Sequence, residues 1–409
     1  MKKTGYNRHN ALGIVLAALL LVCGPAVAFA QIQGINGPNF TLTAKTGVIQ
    51  TSDGEAFLVW GYADGTGPMQ YPGPTLLVDQ GQTVTITLTN NLPASAGNTS
   101  IVFPGQMVSA SGGAQGVLTR EAVTGGTVTY QFEATEPGTY LYRSGTQPDL
   151  QVEMGLVGAI VVYPTEGRQQ AYNHSDSQFD REFLLLITEM DPNIHRTVEY
   201  GEPVDTSAYF ATNWFANGRN FPDNMSDDFV PWLPHQPYKF NPRLHPGERV
   251  LVRSVAAGNE LHPFHYHGND FEVIAVDGRL LSSGPGQGAD LAWKATTRRT
   301  IPGQTADVMW TWNAEKLGWD IYDHLPGVDY DRPTTGIICD NFDPLLYEPN
   351  TSVPLPNPGE PGYDDLFDPE THEYCPDHGM PFPVILPTRD SLTFGAFYPG
   401  TPFLGGDGE

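Results

Sequence analysis

Basic residues are scarce in this chain: 21 Lys and Arg face 46 Asp and Glu across 409 residues, a formal charge of −25. A surface so acidic repels polyanions, which excludes nucleic acid and anionic lipid as expected partners. Beyond residue 30 there is no uninterrupted apolar run of the roughly 18 residues a membrane helix requires, so no later segment is expected to span a bilayer. Cysteine is rarer still, at three. Cys23 lies in the leader described below, and Cys339 and Cys375 are left as one expected disulfide. A Gly-rich phosphate loop, a nucleophile elbow and a basic aromatic strip are all missing, so nucleotide, lipase-like and nucleic-acid chemistry have no support.

Residues 1–30 read as a secretory signal peptide. Lys2, Lys3 and Arg8 form a basic start, Ala11–Leu21 is apolar, and Ala28-Phe29-Ala30 is a small-x-small cleavage site. Cleavage near Ala30 would deliver a periplasmic or secreted protein. It removes three basic and no acidic residues, which deepens the charge to −28.

The remaining residues carry all-β patterning. The 45 Gly and 36 Pro punctuate short alternating runs throughout the chain. Thr83–Thr89 and Thr127–Phe132 each alternate polar and apolar residues and so offer one face to bury, as sandwich strands do. Domains are expected at 38–165 and 178–340, with a polar connector around Thr165–Ser177. Residues 341–409 form an irregular tail. Its first part, Asn341–Glu373, is rich in Pro, Asp, Glu and Gly, whereas Met380–Leu404 is apolar and aromatic and should pack against this chain or a neighbour.

Metal-binding side chains are concentrated in His262-Pro-Phe-His265-Tyr-His267-Gly268. On a strand, residues i and i+2 leave the same face roughly 6.5–7 Å apart. His265 and His267 are therefore placed to converge on one ion or on two neighbouring ions, and neutral imidazole suits copper or zinc.

Several longer motifs resemble the multicopper oxidase family. Tyr71-Pro-Gly-Pro-Thr-Leu-Leu-Val-Asp-Gln-Gly-Gln-Thr-Val84, Thr89-Asn-Asn-Leu-Pro93, Glu136-Pro-Gly-Thr-Tyr-Leu-Tyr142 and Gly155–Val162 follow the order of the family's first domain. Asn217-Gly-Arg-Asn-Phe-Pro222, His245-Pro-Gly-Glu-Arg-Val250 and the histidine motif resemble its copper-binding domain. The resemblance covers roughly residues 40–340. It implies two cupredoxin-like Greek-key β-sandwich domains, the second carrying copper.

The resemblance breaks at the ligands. Val102 and Pro104 stand where the family's first His-x-His would fall, and Arg143 and Gly145 stand at the second, so domain 1 keeps no copper ligand. In domain 2 the resemblance makes His262, His265 and His267 type 1, type 2 and type 3 copper ligands respectively. The later His-Cys-His element reads Tyr322-Asp323-His324, which retains His324 and lacks the thiolate of a blue copper site.

The expected site is therefore a reduced one, with metal candidates His262, His265, His267 and His324. Its core is His265, His267 and His324, completed by Asp323, Asp270, Tyr322 or water, and it would take copper, with zinc as the alternative. A second candidate is Cys375, His378 and Met380, which competes with the Cys339–Cys375 disulfide. Asp364, Asp365, Asp368 and Glu370 read as a solvated acidic loop rather than a Ca²⁺ site, and four Asn-x-Ser/Thr triplets as surface markers.

Three readings follow. The chain handles copper at a reduced site, or it is an oxidase completed by a different partner subunit, or it is a structural protein that kept the scaffold. A homo-oligomer cannot supply ligands that no copy carries, although assembly through the tail is compatible with all three.

Overall fold

The computed structural model describes residues 32–243, 248–267 and 270–311. The leader, His324, the Cys339–Cys375 pair, the Cys375/His378/Met380 site and the tail lie outside the described residues.

The all-β expectation holds. Thr83–Asn90 is a strand in which Val84, Ile86 and Leu88 are fully buried and the alternate threonines are not. It pairs in antiparallel register with Thr127–Glu133, whose Val128, Tyr130 and Phe132 point inward. These two belong to a five-stranded sheet with Ala56–Asp64, Asn39–Gln50 and Ser109–Gly112. A four-stranded sheet of Ile35–Asn36, Leu76–Asp79, Val157–Tyr163 and Gly138–Arg143 lies against it. Leu76, Val78, Ile160 and Val162 from one sheet share a core with Phe40, Leu42, Ile86 and Leu88 from the other, which makes a sandwich. Each such side chain contributes about 1.5–3 kcal/mol by leaving water.

A second sheet system is built from residues 181–311. Its path runs Asn213–Ala216, Arg181–Met190, Arg249–Ala256, Thr305–Thr311, Phe271–Val276 and Arg279–Leu280, and Trp293–Ala295 pairs with Phe271–Val276. Arg181–Met190 and Arg249–Ala256 run parallel, so the chain must cross over between them. It does so through the helix Pro192–Glu199 and the long segment 217–243.

The Val157–Tyr163 strand explains why its sequence is an unbroken apolar run. All seven residues are buried, because both of its faces are covered. Ile160 and Val162 face the first sandwich, while Val157 and Ala159 pack with Leu186, Val255 and Ala257 of the second sheet system.

That interface also buries charge. Arg253 donates from Nε to Glu182 Oε1 at 2.6 Å and lies 3.3 Å from Asp307 Oδ2, with all three side chains almost wholly out of solvent. Thr139 donates to Asp307 Oδ1 at 2.6 Å, Tyr172 to Asp307 Oδ2 at 2.6 Å, and Tyr163 to Glu182 Oε2 at 2.9 Å. Burial alone would lower the affinity of Arg253 for its proton. Glu182 and Asp307 outweigh it and hold the guanidinium above its usual value.

Candidate metal centre

The histidine motif starts from a turn that a buried carboxylate holds in place. Glu189, at the end of the Arg181–Met190 strand, accepts hydrogen bonds from the backbone N–H groups of Asn259 and Glu260, the latter at 2.5 Å. Its other oxygen meets His262 Nε2 at 3.0 Å. Burial raises the pKa of Glu189 above the usual carboxylate value, against the pull of His262 and the two amides.

From this anchor the strand His262–His265 pairs antiparallel with Thr297–Thr300, and His262 sits opposite Thr300. Thr300 Oγ1 donates to the His262 carbonyl at 2.6 Å, which secures the start of the strand.

Strand parity then sorts the side chains. His262, Phe264 and Tyr266 face inward, whereas His265 and His267 are exposed on the opposite face. Phe264 stacks edge-on against Tyr266 at 4.9 Å, and Tyr266 packs on Phe271 and Trp310 at 4.8 and 4.7 Å. This aromatic anchor fixes the twist of the segment and hence the direction of the two outward histidines.

The rings of His265 and His267 lie 5.0 Å apart, centroid to centroid, at 58°. His265 Nδ1 is 2.7 Å from the carbonyl of Thr296 and 3.0 Å from Thr297 Oγ1. A carbonyl only accepts, so Nδ1 carries the proton, and in the neutral ring Nε2 presents its lone pair. Metal-binding histidines are commonly oriented by such a bond from the ring's other nitrogen. The pair therefore fits two positions of a copper or zinc shell. Arg299 opposes Pro263 in the register and belongs to the same strand face as His265, which places one cation close to the pair.

The fold brings together His265 and His267 and separates His262, which is committed to Glu189. No group of three His, Cys, Asp or Glu side chains suited to a metal occurs among the described residues. The other described histidines are engaged elsewhere: His195 Nδ1 donates to the Leu58 carbonyl at 2.6 Å, His235 Nδ1 to the Val48 carbonyl at 2.7 Å, and His174 lies 3.2 Å from Asp176.

In the first sandwich, the positions where the resemblance implies ligands do meet in space. Val102 and Arg143 exchange backbone hydrogen bonds at 2.8 and 3.2 Å. A Cβ built on Gly145 would stand 2.6 Å from Val102 Cγ1 and 3.1 Å from Ser100 Oγ. The convergence survives, but its side chains are a hydrocarbon, a guanidinium and no side chain at all. Residues 51–167, which hold these positions, match the family model described as multicopper oxidase.

This segment is therefore similar to a multicopper oxidase domain. The L-ascorbate oxidase of Cucumis sativus is 30% identical to the chain over 123 residues, which is 29% of the chain and 19% of that enzyme. The copper-containing nitrite reductase of Neisseria meningitidis is 30% identical over 139 residues, covering 34% of the chain and 31% of the reductase. The chain thus spans less than a third of the length of these relatives. A blue copper oxidase from Nitrosomonas europaea has the same fold, with a TM-score of 0.50 and 20% identity over 66% of this chain and 74% of that one. The match thus falls on the segment in which Val102, Pro104, Arg143 and Gly145 stand where the resemblance implies ligands.

Glu189 was not legible as a site residue in the sequence. It follows Leu184-Leu185-Leu186-Ile187-Thr188 and carries no motif, and only the return of the chain at Asn259 gives it a role.

Proposed function

We propose that this chain is a copper-binding relative of the multicopper oxidases with a single reduced site. His265 and His267 hold the ion, His324 supplies the third imidazole, and Asp323 or water completes the shell. The observation that carries this reading is the outward pair of imidazoles at 5.0 Å, with the Nε2 of His265 freed by the bond from Nδ1 to Thr296. Zinc satisfies the same donors, but copper is favoured by the similarity to a copper-containing nitrite reductase.

The role that fits is binding and delivery of the metal. Copper held by imidazoles without a thiolate supplies one-electron exchange and Lewis acidity. The side chains around it contribute binding and orientation: Thr296 and Thr297 fix His265, Tyr266 anchors the strand, and Arg299 moderates affinity by its charge. Coupled reduction of dioxygen would need the donors replaced by Val102, Pro104, Arg143 and Gly145, and the thiolate replaced by Asp323. On this reading the protein is exported and cleaved near Ala30, so it meets the metal outside the cytoplasm.

Metal content and electron paramagnetic resonance of protein purified from its native compartment test the proposal. About one copper per chain is expected, with a signal typical of nitrogen ligands and no intense blue band. His265→Ala with His267→Ala should abolish binding, while His262→Ala should leave the stoichiometry intact because Glu189 already engages that ring. Several coppers per chain with blue and near-ultraviolet bands would overturn the reading, and so would metal-free protein that takes up no copper on titration.

A further inference from the structure

The loop from Arg219 to Trp232 turns several large apolar side chains toward solvent. Phe221 is 74% exposed, Trp232 59%, Phe229 58% and Met225 48%. Loops of this kind are usually polar, and a cluster of large apolar side chains on the surface of an acidic protein marks a contact.

The cluster is preorganised. Arg219 is completely buried beneath it and donates from Nε to the Gln236 carbonyl at 2.7 Å, and from Nη1 to the carbonyls of Ser226 and Asp227 at 2.9 and 3.1 Å. Phe229 adopts φ 57°, a left-handed conformation that costs a bulky residue about 1–2 kcal/mol. It is held there by the bond from its N–H to the Pro237 carbonyl at 2.8 Å and by an edge contact with Tyr238 at 6.0 Å. Fixed aromatic side chains are the usual anchors of an interface, since little side-chain freedom is lost on binding.

The end of the last described strand is linked to this loop by packed rings. Trp310 packs on Tyr266, Tyr266 on Phe264, and Phe264 on Phe240 at 6.4 Å. Phe240 in turn donates its N–H to the Asn224 carbonyl at 2.9 Å, and Asn241 Nδ2 donates to the Met225 carbonyl at 3.1 Å. A relay of four rings in contact, Trp310, Tyr266, Phe264 and Phe240, thus leads from the end of the described strand to the Asn224–Met225 part of this loop.

We propose that the loop 219–232 is the docking surface for this chain's own segment Met380–Leu404. That segment supplies Phe382, Val384, Ile385, Leu386, Phe394, Phe397, Tyr398 and Phe403, and its only charged residues, Arg389 and Asp390, cancel. The loop carries Asp223, Asp227 and Asp228, so a neutral apolar strap meets it without repulsion. Tethering favours the segment further. The connector 312–379 has 68 residues, enough to span the distance to the loop, so docking of the segment is intramolecular. The inference is independent of the metal site.

The test is photo-crosslinking in the full chain, with p-benzoylphenylalanine in place of Trp232 or, separately, Phe221. Both positions are exposed, so the replacement leaves the core intact. Protein from an equal mixture of isotopically labelled and unlabelled chains is irradiated and its cross-linked peptides are read by mass spectrometry. Cross-links to 380–404 that are isotopically pure are expected, and they should fall about tenfold in the Phe394→Asp/Phe397→Asp variant. The same probe at Met107, which is exposed on the first sandwich, should give none. Cross-links of mixed isotope would assign the surface to a second copy and overturn the proposal. Cross-links confined to other segments, no cross-links at all, or equal yield from Met107 would also overturn it.

Discussion

Val102 and Gly145 meet where the resemblance to multicopper oxidases implies metal ligands, so closely that a methyl group on Gly145 would lie 2.6 Å from Val102 Cγ1. Packing closes the place where the resemblance implies donors. Gly145→Ala should therefore destabilise the protein by about 1–3 kcal/mol through overpacking. Val102→Ala should restore most of that loss when combined with it, giving a positive coupling in a double-mutant cycle. Urea unfolding of the four variants measures both effects. Strictly additive changes would show that the two side-chain positions do not press on each other.

Arg253 binds Glu182 and Asp307 in the interface between the first sandwich and the second sheet system. Arg253→Met leaves two carboxylates buried and uncompensated, and should cost about 3–5 kcal/mol. The partners Thr139 and Tyr163 come from the first sandwich, so calorimetry should show one transition splitting into two as the halves lose their coupling. An unchanged single transition would show that the apolar contacts of Leu186 and Val255 suffice to couple them.

Glu189 gives stability a pH dependence of definite sign. Burial raises its folded pKa above the ordinary 4.5, so its contribution is fully present below about 4.5 and is lost as pH rises through the folded value. Glu189→Gln removes the ionisation. The stability of the variant relative to the native protein should therefore improve as pH rises above about 4.5. Unfolding midpoints across that range read the difference, and an opposite slope would mean that His262 and the Asn259 and Glu260 amides outweigh burial.

Asp191 caps the helix Pro192–Glu199. Its Oδ1 accepts from Asn193 N–H at 2.9 Å and its Oδ2 accepts from Phe210 N–H at 2.9 Å. Asp191→Ala removes a cap and orphans a second amide, for an expected loss of about 1–2 kcal/mol. Asp191→Asn should recover most of the capping bond. Equal losses in the two variants, measured by thermal unfolding, would assign the effect to the carboxylate charge instead.

Much of the first sandwich was legible in the sequence because its pattern is local. Thr83–Thr89 alternates, and the odd threonines face out in the folded chain as the period of two requires. The His265-x-His267 step was legible for the same reason, since parity alone puts both rings on one face. His262 was not. Its parity is opposite to that of His265, and it is drawn to Glu189, 73 positions away in sequence. Nor does any local pattern announce the buried Arg253 network, whose members lie on strands far apart in the chain.

The sequence by itself determined the β architecture, the resemblance to copper oxidases and which residues stand where that resemblance implies ligands, because these depend on residue identity, on a period of two and on fixed spacings. Only the tertiary structure decided that His262 turns to Glu189 while His265 is oriented by Thr296, and that Val102 and Gly145 pack together where the resemblance implies donors. Those outcomes are set by contacts between strands distant in sequence, where burial and hydrogen bonding fix the direction of each side chain.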